Sequence, residues 1–263
     1  ISDETLFFLK KNYPNIKLAQ WFLDRMDGIW QKNKQRFLTK FKFMDANFIT
    51  TAPNVLKFLP DKEKTFFIPN PADESFEVLE NYNDDACIFD VFFALSHGVH
   101  RGILKKGKYD EREKFISQLM NMTPNIKFDI YGLNQIQPIW ADSFYKSLSR
   151  SKMAINLSQG QPIKYYSSDR LTQLIGNGLL TFIDERTLYK NFFTDNELVF
   201  YKDVNDLSEK INKYSIDEKA RKKIAKNGKI KYLKYFNSTI VADYIIKRAF
   251  DSNIKKKRFI WEK

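Results

Sequence analysis

The chain has 263 residues, of which 43% are hydrophobic and 16% aromatic, with a single cysteine, Cys87, and a formal charge of +12. That length supplies one large core or two small ones, and the aromatic content excludes a disordered chain. One cysteine excludes an internal disulfide, and no apolar run reaches the roughly 18 residues that would read as a membrane-spanning helix.

Hydrophobic period and breakers define the elements in chain order. The chain opens at Ile1 inside a helix-like pattern over residues 5–11, so upstream residues are expected. Residues 16–22 read as a strand, 28–43 as an amphipathic helix, 46–50 as a short buried strand, 53–58 as a short helix and 65–68 as a strand stopped by Pro69-Asn70-Pro71. Residues 74–86 are acidic and irregular and read as a linker. The rhythm then restarts, with strands expected at 89–95, 127–131, 153–157, 179–183 and 198–201. Helices are expected at 110–120, 142–149, 169–175, 204–212, 216–235 and 238–250. Alternating strands and helices predict an α/β chain with parallel sheets covered on both faces, whose ligands bind beyond the carboxyl ends of the strands.

The loops after those strands hold the candidate chemistry. The segment from Ser96 to Lys106 combines Gly98 and Gly102 with Arg101, Lys105 and Lys106. Glycines permit close backbone approach, and Arg101 offers a planar fork to phosphate oxygens, so the segment reads as a diphosphate contact or as a solvated loop. The stretch from Ser158 through Lys164 and Tyr165 to Arg170 is the second candidate. Ser167 or Ser168 suits a helix cap, Asp169 a first-turn acid, and Arg170 an anionic partner. His97 and His100 lack a third ligand for zinc, which leaves His97 as a donor contact or acid–base group. Asp24 and Asp27 follow the first strand as candidate bases or as ordinary surface carboxylates. Cys87 reads as a small core residue. Neither a Walker A loop nor a G-x-G-x-x-G fingerprint is present, which removes the main support for ATPase and NAD readings.

The order of motifs resembles glycosyltransferases of the GT-B fold, in particular the group related to the spore-maturation protein CgeB. Phe67-Ile68-Pro69-Asn70-Pro71-Ala72-Asp73 is similar to the segment that closes the family's first domain. Asp90-Val91-Phe92-Phe93, Lys127-Phe128-Asp129-Ile130-Tyr131-Gly132 and Ala154-Ile155-Asn156-Leu157-Ser158 resemble strands of its second domain. Arg170 through Gly178 with Leu179-Leu180 resembles the helix and turn that cradle the nucleotide sugar. Gln173 stands where the family often has a ribose-binding Glu, and the family's usual Glu–seven residues–Glu mark of retention is absent.

The resemblance implies two Rossmann-like domains. Residues 1–83 would be the later part of the first, acceptor-side domain, and 84–236 the nucleotide-sugar domain. Residues 237–263 would be a helix crossing back to the first domain plus a basic tail. It implies transfer of a sugar from a nucleoside diphosphate sugar to a glycan or lipid-linked acceptor, with no metal and no resident cofactor. Arg101, Lys105, Ser158, Lys164, Tyr165, Ser168, Asp169, Arg170 and Gln173 would contact the donor, and Asp24, Asp27 or His97 would serve the acceptor chemistry.

A cytoplasmic protein is expected, without a nucleic-acid partner. Residues 206–263 carry 17 Lys and Arg against 7 Asp and Glu. The stretch Lys255-Lys256-Lys257-Arg258-Phe259-Ile260-Trp261 therefore offers contact with an anionic membrane at its inner face. The same charge also fits a solvated helical face. A non-catalytic nucleotide-binding scaffold and a polyanion-binding protein are the alternatives.

Overall fold

The computed structural model describes residues 1–96, 103–105, 107, 110–250 and 258–262. Two parallel sheets carry the fold. The first has three strands in the order β1 (Ala19–Phe22), β2 (Ala46–Ile49), β3 (Thr65–Phe67), preceded by α1 (Asp3–Asn12) and interleaved with α2 (Gln31–Phe41). The second contains β4 (Phe89–Ala94), β5 (Phe128–Tyr131), β6 (Ser151–Asn156), β7 (Leu180–Asp184) and β8 (Val199–Tyr201). Its strand order is β5-β4-β6-β7-β8. The chain order reverses between β4 and β6, which is where an open parallel sheet leaves a crevice for ligands.

Helices α3 (Glu111–Met122), α4 (Ala141–Leu148) and α5 (Arg170–Gly176) make the crossovers of the second sheet. They are followed by α6 (Val204–Ile216), α7 (Glu218–Tyr235) and α8 (Ser238–Ala249). Four successive residues of β4, Val91 to Ala94, are buried, as expected of a strand covered on both faces. Short one-turn helices at Pro53–Val55, Glu185–Thr187 and Tyr189–Asn191 complete the described elements.

One apolar cluster joins the two sheets. It brings Phe48, Phe67 and Ile68 of the first sheet region against Ile183, Phe200, Tyr232, Phe236 and Tyr244. Asn70 reinforces it: its side-chain amide donates to Ser167 O at 3.1 Å, and its carbonyl accepts from Thr172 Oγ1 at 3.0 Å and Tyr232 Oη at 2.7 Å. Helix α8 returns to the first sheet, where Tyr244 packs on Phe48 and Phe66.

The acidic segment 74–86 packs tightly: Glu77, Asn81 and Tyr82 are buried, and Lys229 Nζ donates to the carbonyls of Glu77 at 3.0 Å and Leu79 at 2.6 Å. The segment thus straps β3 to the back of the second sheet. One expectation is corrected here. The aromatic half of the tail is core, not a membrane face. Phe259 and Trp261 are buried against Tyr244 and Phe236, and Arg258 pairs with Asp243 at 3.3 Å. Lys255, Lys256 and Lys257 lie outside the described residues. Among the described residues no helix is long and apolar enough to cross a membrane.

Candidate functional site

Two cavities open at the carboxyl ends of the second sheet, and Arg112 lines both. The larger, about 510 Å³, lies at the switch point. Its walls come from the end of β4 (Ala94 to Ser96), the approach to α4 (Ile139, Trp140) with Tyr145 on that helix, and the start of α5 (Ser168 to Arg170, Gln173). The smaller, about 170 Å³, lies beyond β6, β7 and β8 and reaches the first sheet through Arg25.

Arg170 dominates the larger cavity. It is the first residue of α5, and its guanidinium donates to the carbonyls of Ala94 and Leu157 and to Ser168 Oγ, the last two at 3.1 and 3.2 Å. Its Nε is buried with no partner, and its bonds among the described residues go to neutral oxygens, with no ion pair. Burial, reinforced by the nearby charge of Arg112, lowers its pKa to about 10, so it remains cationic at neutral pH. A buried cation bound mainly to neutral oxygens is costly unless an anion completes it. Gln173 lies one turn further along the same helix, beside Trp140 and Tyr145 on the cavity wall. Burial raises the Tyr145 phenol pKa, and a hydrogen bond with Gln173 opposes that rise.

Arg112 is placed by a helix start. Asp110 caps α3 in a capping box with Glu113 and holds Arg112 through Nε and Nη2, both at 2.8 Å. The same device recurs after β7, where Asp184 holds Arg186 at 2.9 and 2.6 Å. It recurs reversed after β1, where Asp27 holds Arg25 at 2.8 and 2.6 Å. Arg25 also donates Nη1 to Gln159 O at 2.5 Å and stacks on Trp30 and Tyr166, so it latches the first sheet to the loop after β6. Gly160 at φ +75° lets that loop pass the latch, since a Cβ there would stand 3.0 Å from Arg25 Nη1.

The expected site residues divide under this geometry. Ser168, Asp169, Arg170 and Gln173 converge on the larger cavity, whereas Ser158 lines the smaller one. The cap of α5 is Asp169, whose side chain accepts from Arg170 N, rather than Ser167 or Ser168. Ser167 is instead buried against Tyr189, with their hydroxyls 2.8 Å apart. Tyr165 is corrected outright: it packs between Phe67 and Phe192, its hydroxyl accepts from Asn191 at 2.7 Å, and it lines neither cavity. Lys164 lies over the Tyr165 ring and lines neither cavity. Asp27 is committed to Arg25 through a two-pronged ion pair. Asp24 is exposed, 4.0 Å from Arg36. Lys105 is exposed. His97 and Arg101 lie outside the described residues.

Burial pushes the Cys87 thiol pKa up to about 11, in keeping with a core residue. Among the described residues no group of three His, Cys, Asp or Glu is arranged to hold a metal. Sequence reasoning passed over Arg112, Trp140 and Tyr145. The tripeptide Asp-Glu-Arg occurs at 110–112 and again at 184–186, and that repeat was a legible sign of paired arginine devices.

The solved structures similar to this chain share the fold at low identity. TarM matches with a TM-score of 0.63 at 10% identity, over 90% of this chain and 51% of its own, so the chain spans about half of that protein. HepE of Anabaena, solved in complex with UDP and glucose, matches with a TM-score of 0.68 at 11% identity, over 95% of this chain and 76% of its own. Sucrose-phosphate synthase from Thermosynechococcus elongatus matches with a TM-score of 0.59 at 12% identity, over 93% and 70%. The two parallel sheets with flanking helices are those of the GT-B fold. No curated protein matches the sequence. The family model described as glycosyl transferase-like matches residues 111–247, just over half of the chain, and the chain belongs to that family.

Proposed function

We propose that the chain is a glycosyltransferase whose larger cavity binds a nucleoside diphosphate sugar and whose arginines stabilise the departing diphosphate. The observation that carries this is Arg170, a buried guanidinium without an ion pair among the described residues, at the switch point of the sheet and close to Arg112. Two fixed cations are placed where negative charge develops as the glycosidic bond to the diphosphate breaks, and preorganised charge of this kind is a major source of catalysis. No metal is required for that role, and Arg101 and Lys105 would add to it.

Trp140 and Tyr145 offer ring faces to a nucleobase, and Gln173 offers an amide to the ribose hydroxyls. HepE was solved with UDP and with UDP-glucose, which makes uridine nucleotides the first donors to test. The acceptor would be a cell-envelope glycan or a lipid-linked saccharide approaching from the first sheet. The basic tail would lie against the inner face of the membrane. Kinship with the CgeB group belongs to the same proposal, as does the division at residues 83 and 236. The base is then Asp24, Asp27, His97 or a group outside these residues.

The test is release of nucleoside diphosphate from a panel of UDP-, GDP-, CDP- and ADP-sugars, with wild type and Arg170→Lys. Release from one donor class, strongly reduced in Arg170→Lys, is the expected result; equal release from both proteins would remove Arg170 from the mechanism. One observation favours a binding-only scaffold, namely Gln173 in place of the family's frequent Glu. Nucleotide binding without release from any donor would favour it.

A further inference from the structure

Two walls of the larger cavity meet at one buried carboxylate outside it. Glu113 stands in the first turn of α3, is 8% exposed, and follows the Arg112 that lines the cavity. Its Oε1 accepts from Asp110 N at 3.1 Å, closing the capping box whose Asp110 side chain grips Arg112. Its Oε2 accepts from Asn134 N at 3.2 Å, on the loop that follows β5. That loop runs on to Ile139 and Trp140, which form another wall of the same cavity.

The loop is stiff enough to carry a displacement from Asn134 to Trp140. Asn134 and Gln135 both hold left-handed backbone, with φ of 51° and 64°, and turn the chain sharply after Leu133. Asparagine tolerates that region, whereas glutamine there costs free energy and persists only where its surroundings fix it. Gly132 N donates to Ile136 O at 3.1 Å and Ile136 N to Leu133 O at 2.9 Å, so the turn closes on itself. Leu133 is fully buried in one apolar cluster with Leu95 and Ile116, which roots the turn in the core. Gln137 Oε1 adds a second tie, accepting from Leu104 N at 2.8 Å. Pro138 then fixes its own φ and restricts Gln137 before it, which stiffens the short run to Trp140.

A carboxylate is needed for this double role. Both partners are backbone N–H donors, so the bridging group must accept at each end and donate at neither. An amide of the same shape would turn its NH2 towards one of them and lose that bond. We propose that Glu113 is a positioning residue that sets Arg112 and Trp140 in register across the larger cavity, so that cationic and aromatic contacts with a nucleoside diphosphate form together. The inference rests on the proposed function for the identity of the ligand; the coupling of the two walls is a property of the free protein.

The test is fluorine NMR of the whole chain labelled with 5-fluorotryptophan, titrated with uridine and with UDP. The chain has four tryptophans, Trp21, Trp30, Trp140 and Trp261, and Trp140→Phe assigns the reporting line. Glu113→Gln should move the Trp140 line in the free protein and leave those of Trp21 and Trp261 in place. Glu113→Asp keeps the charge but is one methylene short of spanning both donors, so it should move the same line, and it also serves should the first variant fold poorly. Uridine is uncharged, so its affinity reports geometry rather than a removed charge; it should weaken about threefold in both variants, and UDP about tenfold in Glu113→Asp, the loss expected from one or two misplaced contacts.

A Trp140 line that stays in place in both variants would overturn the proposal. So would uridine binding to wild type and to both variants equally. A shift of all four lines together would overturn it as well, since Glu113 would then hold the whole fold rather than this cavity. Failure of UDP and uridine to bind wild type, with the Trp140 line still moved by both substitutions, would count against the proposed function and leave the coupling of the two walls standing.

Discussion

Replacing Arg25 by Met should loosen the junction of the two sheets. Arg25 is 5% exposed and makes a two-pronged ion pair with Asp27, a bond to Gln159 O across the junction, and contacts with the faces of Trp30 and Tyr166. A charge-assisted bond to a carbonyl is worth about 1.5–3 kcal/mol, and each cation–π contact adds about 0.5–1. Removing one partner of a fully buried pair costs about 3–5 kcal/mol, but Asp27 retains 27% side-chain exposure and can rehydrate, which lowers that share. These contributions overlap, and Met refills part of the volume, so a net loss of about 2–4 kcal/mol is expected. At about 2–4 °C per kcal/mol for chains near this size, the midpoint should fall by roughly 4–16 °C. Urea unfolding of Arg25→Met, Asp27→Asn and the double variant separates the ion pair from the cross-junction contacts. A loss below about 1 kcal/mol in Arg25→Met would refute the view that Arg25 joins the sheets.

Three further outcomes are expected. Glu77 is buried, and desolvation raises its pKa above the usual carboxylate value, with the Asp73 charge adding to the rise. Stability from its proton uptake is therefore present below pH about 4.5 and lost as pH rises through the raised value. Wild type should thus lose ground to Glu77→Gln from pH 4 to pH 7 in urea midpoints, and a constant difference would contradict the assignment. Gln173→Glu should tighten binding of a nucleoside diphosphate about fivefold if the side chain reaches ribose hydroxyls, because bonds to a charged acceptor are stronger by about 1 kcal/mol; unchanged affinity by calorimetry would take residue 173 out of the nucleotide contact. Phe259→Ala should cost about 3–5 kcal/mol, as expected for a buried aromatic, and leave binding to anionic vesicles untouched. Loss of vesicle binding without loss of stability would restore the tail aromatics to a membrane role.

The α/β rhythm was readable because the buried strands are short apolar runs, several of them stopped by Pro69, Gly132 or Asp184. Ends were less secure: the strand expected from residue 16 begins at Ala19, and the helix expected from residue 28 begins at Gln31, where local propensity yields to pairing with β2 and to packing of Phe37. The candidate site was legible where chemistry is local, as in Ser168 and Asp169 just ahead of α5 and Arg170 at its start. Tyr165 misled because Ile163 and Tyr166 line the smaller cavity while its own positive φ of 65° turns it onto Phe67 and Phe192. Trp261 misled because basic neighbours resemble a membrane tail, while its burial depends on Phe236 and Tyr244, contacts that no local pattern reveals. Arg25 and Arg112 went unweighted since their importance comes from where the other sheet and the other cavity lie.

The most direct measurement is a calorimetric comparison of UDP with uridine on wild type and Arg170→Lys. If Arg170 and Arg112 hold a diphosphate, UDP should bind wild type roughly a hundredfold more tightly than uridine, from two charge-assisted contacts, and most of that advantage should vanish in Arg170→Lys. Equal affinity of UDP and uridine for wild type, or a diphosphate advantage that survives in Arg170→Lys, would contradict the account.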